Sequence, residues 1–199
     1  MKKAAATRLH ILQKAFELIY NQGYQTTSLD DILATTQVTK GAFYYHFKNK
    51  DEMGIAIIEE MLKPVITSGY IAPLEKEANP VELIYEMMQH LLLKNEFLKI
   101  ELGCPAANFV QEMAPWHEQF SKVLSELTAT WEKTIAESLE KGKRNGYIQK
   151  DVNSKQATIF ILSGYWGIRN LGKLEKDTAI YKAYLKQLKH YLSSLSTAG

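Results

Sequence analysis

The chain has 199 residues, of which 46% are hydrophobic and 23% charged, as in ordinary globular proteins. No apolar run is long enough to span a bilayer, and the single cysteine excludes an internal disulfide, so we expect a reducing, cytoplasmic location. The net charge of +2 is uneven, because residues 1–50 hold seven Lys/Arg against three Asp/Glu. A basic N-terminal segment is typical of proteins that bind a polyanion, although an excess of four charges also fits chance.

Helical periodicity runs along nearly the whole chain, and we see no repeat and no convincing strand signal. The pattern predicts an all-α protein of about nine helices, separated by turns rich in glycine, proline and asparagine. The predicted helices cover residues 7–22, two short stretches that start at Ser28 and Thr39, and then 49–67, 81–101, 105–113, 116–144, 153–172 and 177–195. Residues 68–80 contain Gly69, Pro73 and Pro80 and are predicted to be a connection.

The last two predicted helices differ in their apolar pattern. The final helix repeats apolar residues at intervals of four and three, which predicts a seam packed along another helix, at Tyr181, Leu185, Leu188, Leu192 and Leu195. The helix before it is apolar nearly all round, so it needs burial on two sides, and a second copy of the chain is the expected second partner. Gly164 and Gly167 would allow that partner a close approach.

The short helix that starts at Thr39 has two faces. Phe43 and Phe47 share one face at a spacing of four residues and are expected to be core. Tyr44, Tyr45 and His46 then project elsewhere, where phosphate oxygens and thymine methyl groups would be suitable partners. The helix start, Thr39-Lys40-Gly41-Ala42, combines a cap, a cation and two small residues that let the backbone approach base edges. The alternative is a three-helix module that binds protein, or nothing.

Residues 8–53 closely resemble the DNA-binding domain of the TetR family of transcription regulators. The resemblance is carried by Gly23-Tyr24, by residues 27–32 (TSLDDI), by residues 38–47 (VTKGAFYYHF) and by Lys50-Asp51. The family usually has glycine in the turn where Gln37 stands, at a position that should need a positive φ angle. Leu33 also replaces a frequent alanine.

The resemblance implies two domains and a mechanism. Residues 1–50 would form a helix-turn-helix DNA-binding domain, and residues 51–199 a helical ligand-binding and dimerisation domain. Phosphates would be held by Thr27, Ser28, Thr39, Tyr44, His46 and Lys50, and base edges would be faced by Lys40, Gly41, Ala42 and Tyr45. A homodimer formed through the last two helices would bind double-stranded DNA at a palindromic operator. A small-molecule or electrophile inducer would tilt the helix that starts at Asn49 and release the DNA.

The candidates for lining an effector pocket are mostly aromatic. They are Phe97, Cys104, Phe109, Met113, Trp131, Tyr165, Trp166 and Arg169, together with Met87, Met88 and Trp116. Methionines and aromatics at helical spacing are more often plain core. Arg169 lies in an otherwise apolar helix, and its partner could be an anionic ligand or a glutamate such as Glu101 or Glu112.

The segment Gly103-Cys104-Pro105-Ala106-Ala107-Asn108 resembles one found in a subgroup of the family that includes the N-ethylmaleimide-reductase repressor, a sensor of electrophiles and oxidants. Pro105 suits the first position of a helix, so Cys104 would stand at its N-cap, where backbone N–H groups favour the thiolate. The competing interpretation is a small buried hydrophobic residue.

Other functional classes are less well supported by the sequence. A helical ligand carrier or protein adaptor without DNA-binding activity is the main alternative. An enzyme is the weakest interpretation, because the five histidines are scattered and no metal-ligand cluster, phosphate-binding glycine loop or nucleophile elbow is present. We expect neither a cofactor nor a metal.

Overall fold

A computed structural model describes residues 2–197, with the backbone alone for Lys2 and Lys3. Within that range the protein is all-α, as predicted, and its only β pairing is an isolated bridge between Ile148 and Ser196. The α-helices are α1 Lys2–Gln22, α2 Leu29–Thr36, α3 Lys40–His46, α4 Lys50–Ile57, α5 Lys63–Ile66, α6 Pro80–Gln89, α7 Pro105–Met113, α8 Glu118–Arg144, α9 Ser154–Glu175 and α10 Ala179–Leu195. No helix in the described part of the chain is long and apolar enough to cross a membrane.

Shorter helical turns extend several of these elements. π-Helical turns follow α4, α5 and α6, at Ile58–Leu62, Thr67–Ile71 and His90–Lys94, and 3-10 turns lie at Ala72–Glu75 and Ile100–Leu102. Because the first π turn joins α4 to α5, the residues described form nine separate helices, as predicted. The predicted connection at 68–80 is helical as far as Glu75, because the π turn Thr67–Ile71 and the 3-10 turn Ala72–Glu75 follow each other there.

The starts of the short N-terminal helices are capped by side chains. Ser28 and Asp31 form a capping box at α2, as predicted. The Thr39 hydroxyl accepts a hydrogen bond from the Ala42 N–H at 3.2 Å, and the Asn49 side chain accepts one from the Glu52 N–H at 2.8 Å. Each cap satisfies a backbone donor that the first helical turn leaves without a partner.

The predicted helix over residues 81–101 is wrong in its last part. The helix ends with the π turn at Lys94, and Asn95 takes an extended conformation. The Asn95 side-chain oxygen accepts hydrogen bonds from the N–H groups of Phe97 and Leu98, at 3.0 and 3.2 Å. A side chain that supplies these acceptors offers the backbone an alternative to the helix, so the chain turns there.

Packing divides the chain into two compact units. The first, here called the head, comprises residues up to Pro64 together with Pro105–Ser125, and the second, the body, comprises Val65–Cys104 and the chain from Glu126 onward. This division by packing differs from the predicted functional boundary at residue 50, which stays a prediction. In the head, α1 and α2 bury an apolar core that includes Ile11, Leu12, Ala15, Phe16 and Ile32.

In the body, the apolar seam of α10 is buried as predicted, but within the same chain. Tyr181, Leu185, Leu188 and Leu192 are all buried, and α10 packs against α6 and α9. The predicted role of Gly164 is also corrected, because a Cβ atom there would meet the Tyr184 side chain of α10. The small residue therefore makes room for helix packing inside the protomer.

The turn between α2 and α3 supplies a test of backbone strain. Gln37 has φ 55° and ψ 24°, so the predicted positive φ is confirmed. The left-handed region costs a residue with a Cβ atom roughly 1–2 kcal/mol. Glycine avoids this cost, but it loses more chain entropy on folding.

We expect Gln37→Gly to raise the free energy of unfolding by about 0.5 kcal/mol in thermal denaturation.

The matched control is Ala34→Gly, at an exposed position inside α2. That substitution should lower the free energy of unfolding by about 1 kcal/mol, because glycine is unfavourable inside a helix. Equal destabilisation by both glycine substitutions would contradict the strain argument.

Candidate nucleic-acid interface

The helix α3 is held to the head by the two phenylalanines that the sequence assigns to the core. Phe43 and Phe47 are 0% and 1% exposed, and their ring centroids lie 5.5 Å apart. Phe47 ends the helix, and its N–H donates to the Phe43 carbonyl. A seven-residue helix is too short to be stable alone, so this burial keeps it folded.

The opposite face of α3 is open. Tyr44 is 47% and Tyr45 76% exposed, although both are large aromatic side chains, and Lys40 and Gly41 are exposed at the start of the helix. The ring of His46 is half-buried and packs edge-on against Tyr45, with centroids 4.9 Å apart. The structure thus brings the predicted contact residues of α3 onto one exposed surface. A Cβ atom at Gly41 would meet nothing within 4 Å, so the backbone there is accessible.

Ser28 lies at the start of α2, where its hydroxyl is part of the capping box. The hydroxyl donates to Asp31 Oδ2 at 2.6 Å and accepts from the Asp31 N–H at 3.1 Å. The Ser28 hydroxyl and, at 2.9 Å, the Ser28 N–H both donate to Asp31 Oδ2, and these two hydrogen bonds lower the pKa of the Asp31 carboxyl below its ordinary value. Ser28 is exposed, but its oxygen already has intramolecular partners.

Two other predicted phosphate contacts are held inside the head. Thr27 is fully buried, and its hydroxyl donates to the Gly23 carbonyl at 2.6 Å. The Lys50 ammonium donates to the carbonyls of Tyr24 and Thr27 at 2.8 and 2.6 Å and lies 4.3 Å from the centre of the Tyr24 ring. Burial lowers the pKa of Lys50. Both side chains therefore fix the chain between α1 and α2.

Tyr24 is a meeting point of several helices of the head. Its ring packs against Phe109 of α7 and Phe120 of α8, with centroids 5.6 and 5.1 Å away. Its hydroxyl donates to Asp51 Oδ1, at the start of α4, at 2.6 Å. Burial, and then the hydrogen bond to Asp51, raise the pKa of the Tyr24 hydroxyl. A Cβ atom at Gly54 would lie within 2.7 Å of both Tyr24 and Phe120, so only glycine fits there.

Residues 105–125 pack with the N-terminal helices, and nothing in the local sequence pattern predicts this packing. Glu112 of α7 accepts a hydrogen bond from the Gln25 N–H at 2.9 Å, and the Gln25 amide donates to the Glu112 carbonyl at 2.6 Å. His117 Nε2 lies 3.6 Å from Asp51 Oδ2. Gln25 and Glu112 are 87 residues apart in the chain, and no local pattern of residues could have connected them.

The predicted ligand-lining residues are divided between the two units. In the body, the Trp131 ring packs edge-on against Tyr165 and also contacts Tyr70, with centroids 5.3 and 5.0 Å away. Complete burial raises the pKa of Tyr165 well above its ordinary value, and its hydroxyl lies beside Tyr70 without a hydrogen bond of standard geometry. The indole N–H groups of Trp131 and Trp166 are buried without a partner among residues 2–197.

The other pocket candidates are either core residues or exposed. Phe109 and Met113 are buried in the head, whereas Met87 and Met88 are buried in α6 of the body. The turn after Lys94 leaves Phe97 46% exposed, and Trp116, between α7 and α8, is 81% exposed. Their ligand-binding role stays a prediction.

Arg169 is fully buried, and backbone oxygens are prominent among its partners. Its guanidinium donates to the carbonyls of Leu98, Lys99 and Gly103 and to the Tyr181 hydroxyl. Charge-assisted hydrogen bonds of this kind compensate for removing a cation from water. Glu112, one of the two predicted carboxylate partners, is instead engaged with Gln25 in the head.

Cys104 directly follows the Gly103 carbonyl that Arg169 binds, and directly precedes α7. Its side chain is 4% exposed. Gly103 has φ 73°, and the Lys173 side chain covers the position that a Cβ atom would take there.

Comparison with known proteins agrees with this architecture. The family model described as bacterial regulatory proteins of the tetR family matches residues 11–57, and the one described as the tetracyclin repressor-like C-terminal domain matches residues 80–188. An uncharacterised HTH-type transcriptional regulator of the lacX 3′ region of Lactococcus lactis is 35% identical over 133 residues, 67% of this chain and 68% of that protein.

Solved structures share the fold at lower identity. A TetR transcriptional regulator from Chloroflexus aurantiacus superposes with a TM-score of 0.87 at 20% identity, over 100% of both chains. The reduced form of NemR from Escherichia coli superposes with a TM-score of 0.81 at 19% identity, over 96% of this chain and 98% of that chain. With both ends of the sequence matched to one family, the chain belongs to the TetR family of bacterial transcription regulators.

Proposed function

We propose that this protein is a cytoplasmic repressor that binds a palindromic operator as a homodimer and is released by a small molecule or an electrophile. The observation that carries the proposal is the division of α3 into a buried phenylalanine face and an exposed face with two tyrosines and a lysine. Large exposed aromatics on a helix anchored from behind fit a helix that enters the major groove.

The contacts with DNA divide by chemistry. Thr39, Tyr44 and His46 have groups suited to phosphate, together with Ser28 if it exchanges its capping partner. Lys40, Gly41, Ala42 and Tyr45 would face base edges. Because Thr27 and Lys50 are committed to internal hydrogen bonds, we propose that they position α2 against α1 and act on DNA indirectly.

This division predicts two kinds of mutant. Tyr44→Ala should weaken binding to all duplexes alike, whereas Lys40→Ala should change which operator sequence is preferred, by about 1–3 kcal/mol at the affected base pair. Selection of bound duplexes from a random pool, followed by titration at two salt concentrations, measures both effects. The control for Lys40→Ala is Lys186→Ala, which removes the same charge from the exposed side of α10.

The same titration separates this proposal from a helical carrier or adaptor. A regulator should lose affinity steeply as salt rises, because phosphate contacts release counterions. Wild-type protein that binds all duplexes weakly and without salt dependence would favour the carrier.

The surface proposed for the dimer lies on α9. The α10 seam is already buried within the protomer. The large apolar side chains of α9 that remain exposed are Ile159, Phe160, Leu171 and Leu174, and Leu174 is 79% exposed. Gly167 lies on the same stripe, and a Cβ atom there would meet nothing within 4 Å. A second α9 could therefore approach closely, and burial of this stripe would give the apolar helix its second partner.

Gly167→Arg tests this surface without disturbing the protomer. The new side chain has room in the isolated chain but would block the approach of a second α9, so we expect monomers in analytical ultracentrifugation. Gly69→Arg, at a glycine in the body that is equally open, should leave the dimer intact. A dimer that survives Gly167→Arg would place the interface elsewhere.

The proposed effector site is the aromatic cluster of the body, made by Tyr70, Trp131 and Tyr165. The buried indole N–H of Trp131 is a donor that a ligand could engage. Cys104 is the proposed site for an electrophile, since it stands immediately before α7. Its burial would make the reaction slow, because the thiolate must first be exposed to the reagent.

N-Ethylmaleimide provides the test of Cys104, because the chain has no other cysteine. The thiolate sulfur would add to the maleimide double bond, and a proton from water would complete the adduct. We expect DNA release to follow the appearance of the single adduct in mass spectra, and Cys104→Ser to bind DNA normally but ignore the reagent. An adduct that leaves DNA affinity unchanged would assign Cys104 to the core.

A further inference from the structure

Arg8 of α1 joins three parts of the head. Its Nη1 donates to the carbonyl of His46, the last residue of α3, at 3.1 Å. Its Nη2 and Nε donate to the two carboxylate oxygens of Glu60, in the π turn Ile58–Leu62. The guanidinium also lies 4.3 Å from the centre of the Phe47 ring. We call Arg8, Glu60 and the His46 carbonyl the arginine clamp.

Each contact of the clamp has a separate physical reason. The last carbonyls of a helix have no partner within the helix, and they carry partial negative charge that favours a cation. The planar guanidinium can bind a carboxylate through two nitrogens while it stacks on an aromatic ring. Phe47 is 1% exposed, so the ring under the guanidinium is fixed.

The position of Glu60 gives the clamp its importance. α4 runs directly into the π turn that holds Glu60, and the chain leaves the head at Pro64. π-Helical turns are rare and often accompany functional sites. A shift of this turn would therefore pull on Arg8 and, through it, on the C-terminal end of α3.

We propose that the arginine clamp sets the orientation of α3 on DNA, which makes Arg8 and Glu60 positioning residues for DNA binding. The inference rests on the proposed function, since it requires α3 to enter the major groove. It extends that function by naming the link between α3 and the segment through which the chain enters the body.

A simple electrostatic role for these residues makes the opposite prediction. If Arg8 only attracted phosphate, then a lysine in its place would serve as well, and removing the negative charge of Glu60 would strengthen DNA binding. If the clamp orients α3, Glu60→Gln should weaken binding although the protein becomes more positive. The sign of the Glu60→Gln effect therefore decides between the two roles.

The experiment compares Glu60→Gln with Glu59→Gln in the full-length protein. Both glutamates are exposed neighbours in the same turn, and the charge change is the same, but only Glu60 accepts from Arg8. We expect Glu60→Gln to weaken operator binding about twofold to fivefold, because the ion pair is partly exposed, and Glu59→Gln to leave it equal or slightly tighter. The slope of affinity against salt should not change in Glu60→Gln, because no phosphate contact is lost.

Arg8→Lys supplies the second measurement. It keeps the charge but loses the paired nitrogens and the planar stacking, so it should weaken binding as much as Glu60→Gln. The double variant should bind no more weakly than either single variant, because both changes break one clamp. Thermal denaturation of each variant checks that the protein remains folded.

The inference is overturned if Glu60→Gln binds DNA as well as Glu59→Gln, or if Arg8→Lys binds like the wild type. It is also overturned if the double variant loses as much binding free energy as the two single variants lose together. Wild-type protein without salt-dependent binding to any duplex would instead refute the proposed function itself, so the two failures are distinguishable.

Discussion

Burial of Phe43 and Phe47 is the constraint on which the proposed DNA-binding surface depends. A helix of seven residues has too few internal hydrogen bonds to persist in water, so α3 exists because its aromatic face is removed from solvent. This anchoring needs only two aromatic residues at a spacing of four. This contact sets the direction in which the polar side chains of the opposite face, from Lys40 to His46, project.

The head is completed by residues from far along the chain. Tyr24 receives rings from α7 and α8 and binds the first turn of α4 through Asp51, so three helices meet at one side chain. Gln25 and Glu112 then hold α7 to the turn after α1. The head therefore contains α7 and the start of α8 in addition to the N-terminal segment that carries the helix-turn-helix motif. Tyr24 therefore links α7 to the start of α4, through its contact with Phe109 and its hydrogen bond to Asp51.

Arg169 and Lys50 illustrate how a protein satisfies a buried or half-buried cation with backbone oxygens. The Arg169 guanidinium binds three carbonyls, and the Lys50 ammonium binds two, so each cation fixes a stretch of backbone outside the α-helices. Arg8 combines two kinds of partner, with one carbonyl and one carboxylate. In each case a side chain from one helix determines the path of the chain elsewhere.

The sequence by itself determined the fold class, the order and most limits of the helices, the caps at Ser28, Thr39 and Asn49, and the two faces of α3. These features depend on local periodicity and on hydrogen bonds between residues three or four positions apart, which a sequence displays directly. The positive φ angle of Gln37 was also predictable, because the turn that it occupies requires that backbone geometry. The tertiary structure alone decided the partners of Arg8, Tyr24, Lys50 and Arg169, the burial of the α10 seam within one chain, and the membership of residues 105–125 in the head. Those outcomes depend on contacts between residues tens of positions apart, where several partners are chemically equivalent and only the packing of whole helices selects among them.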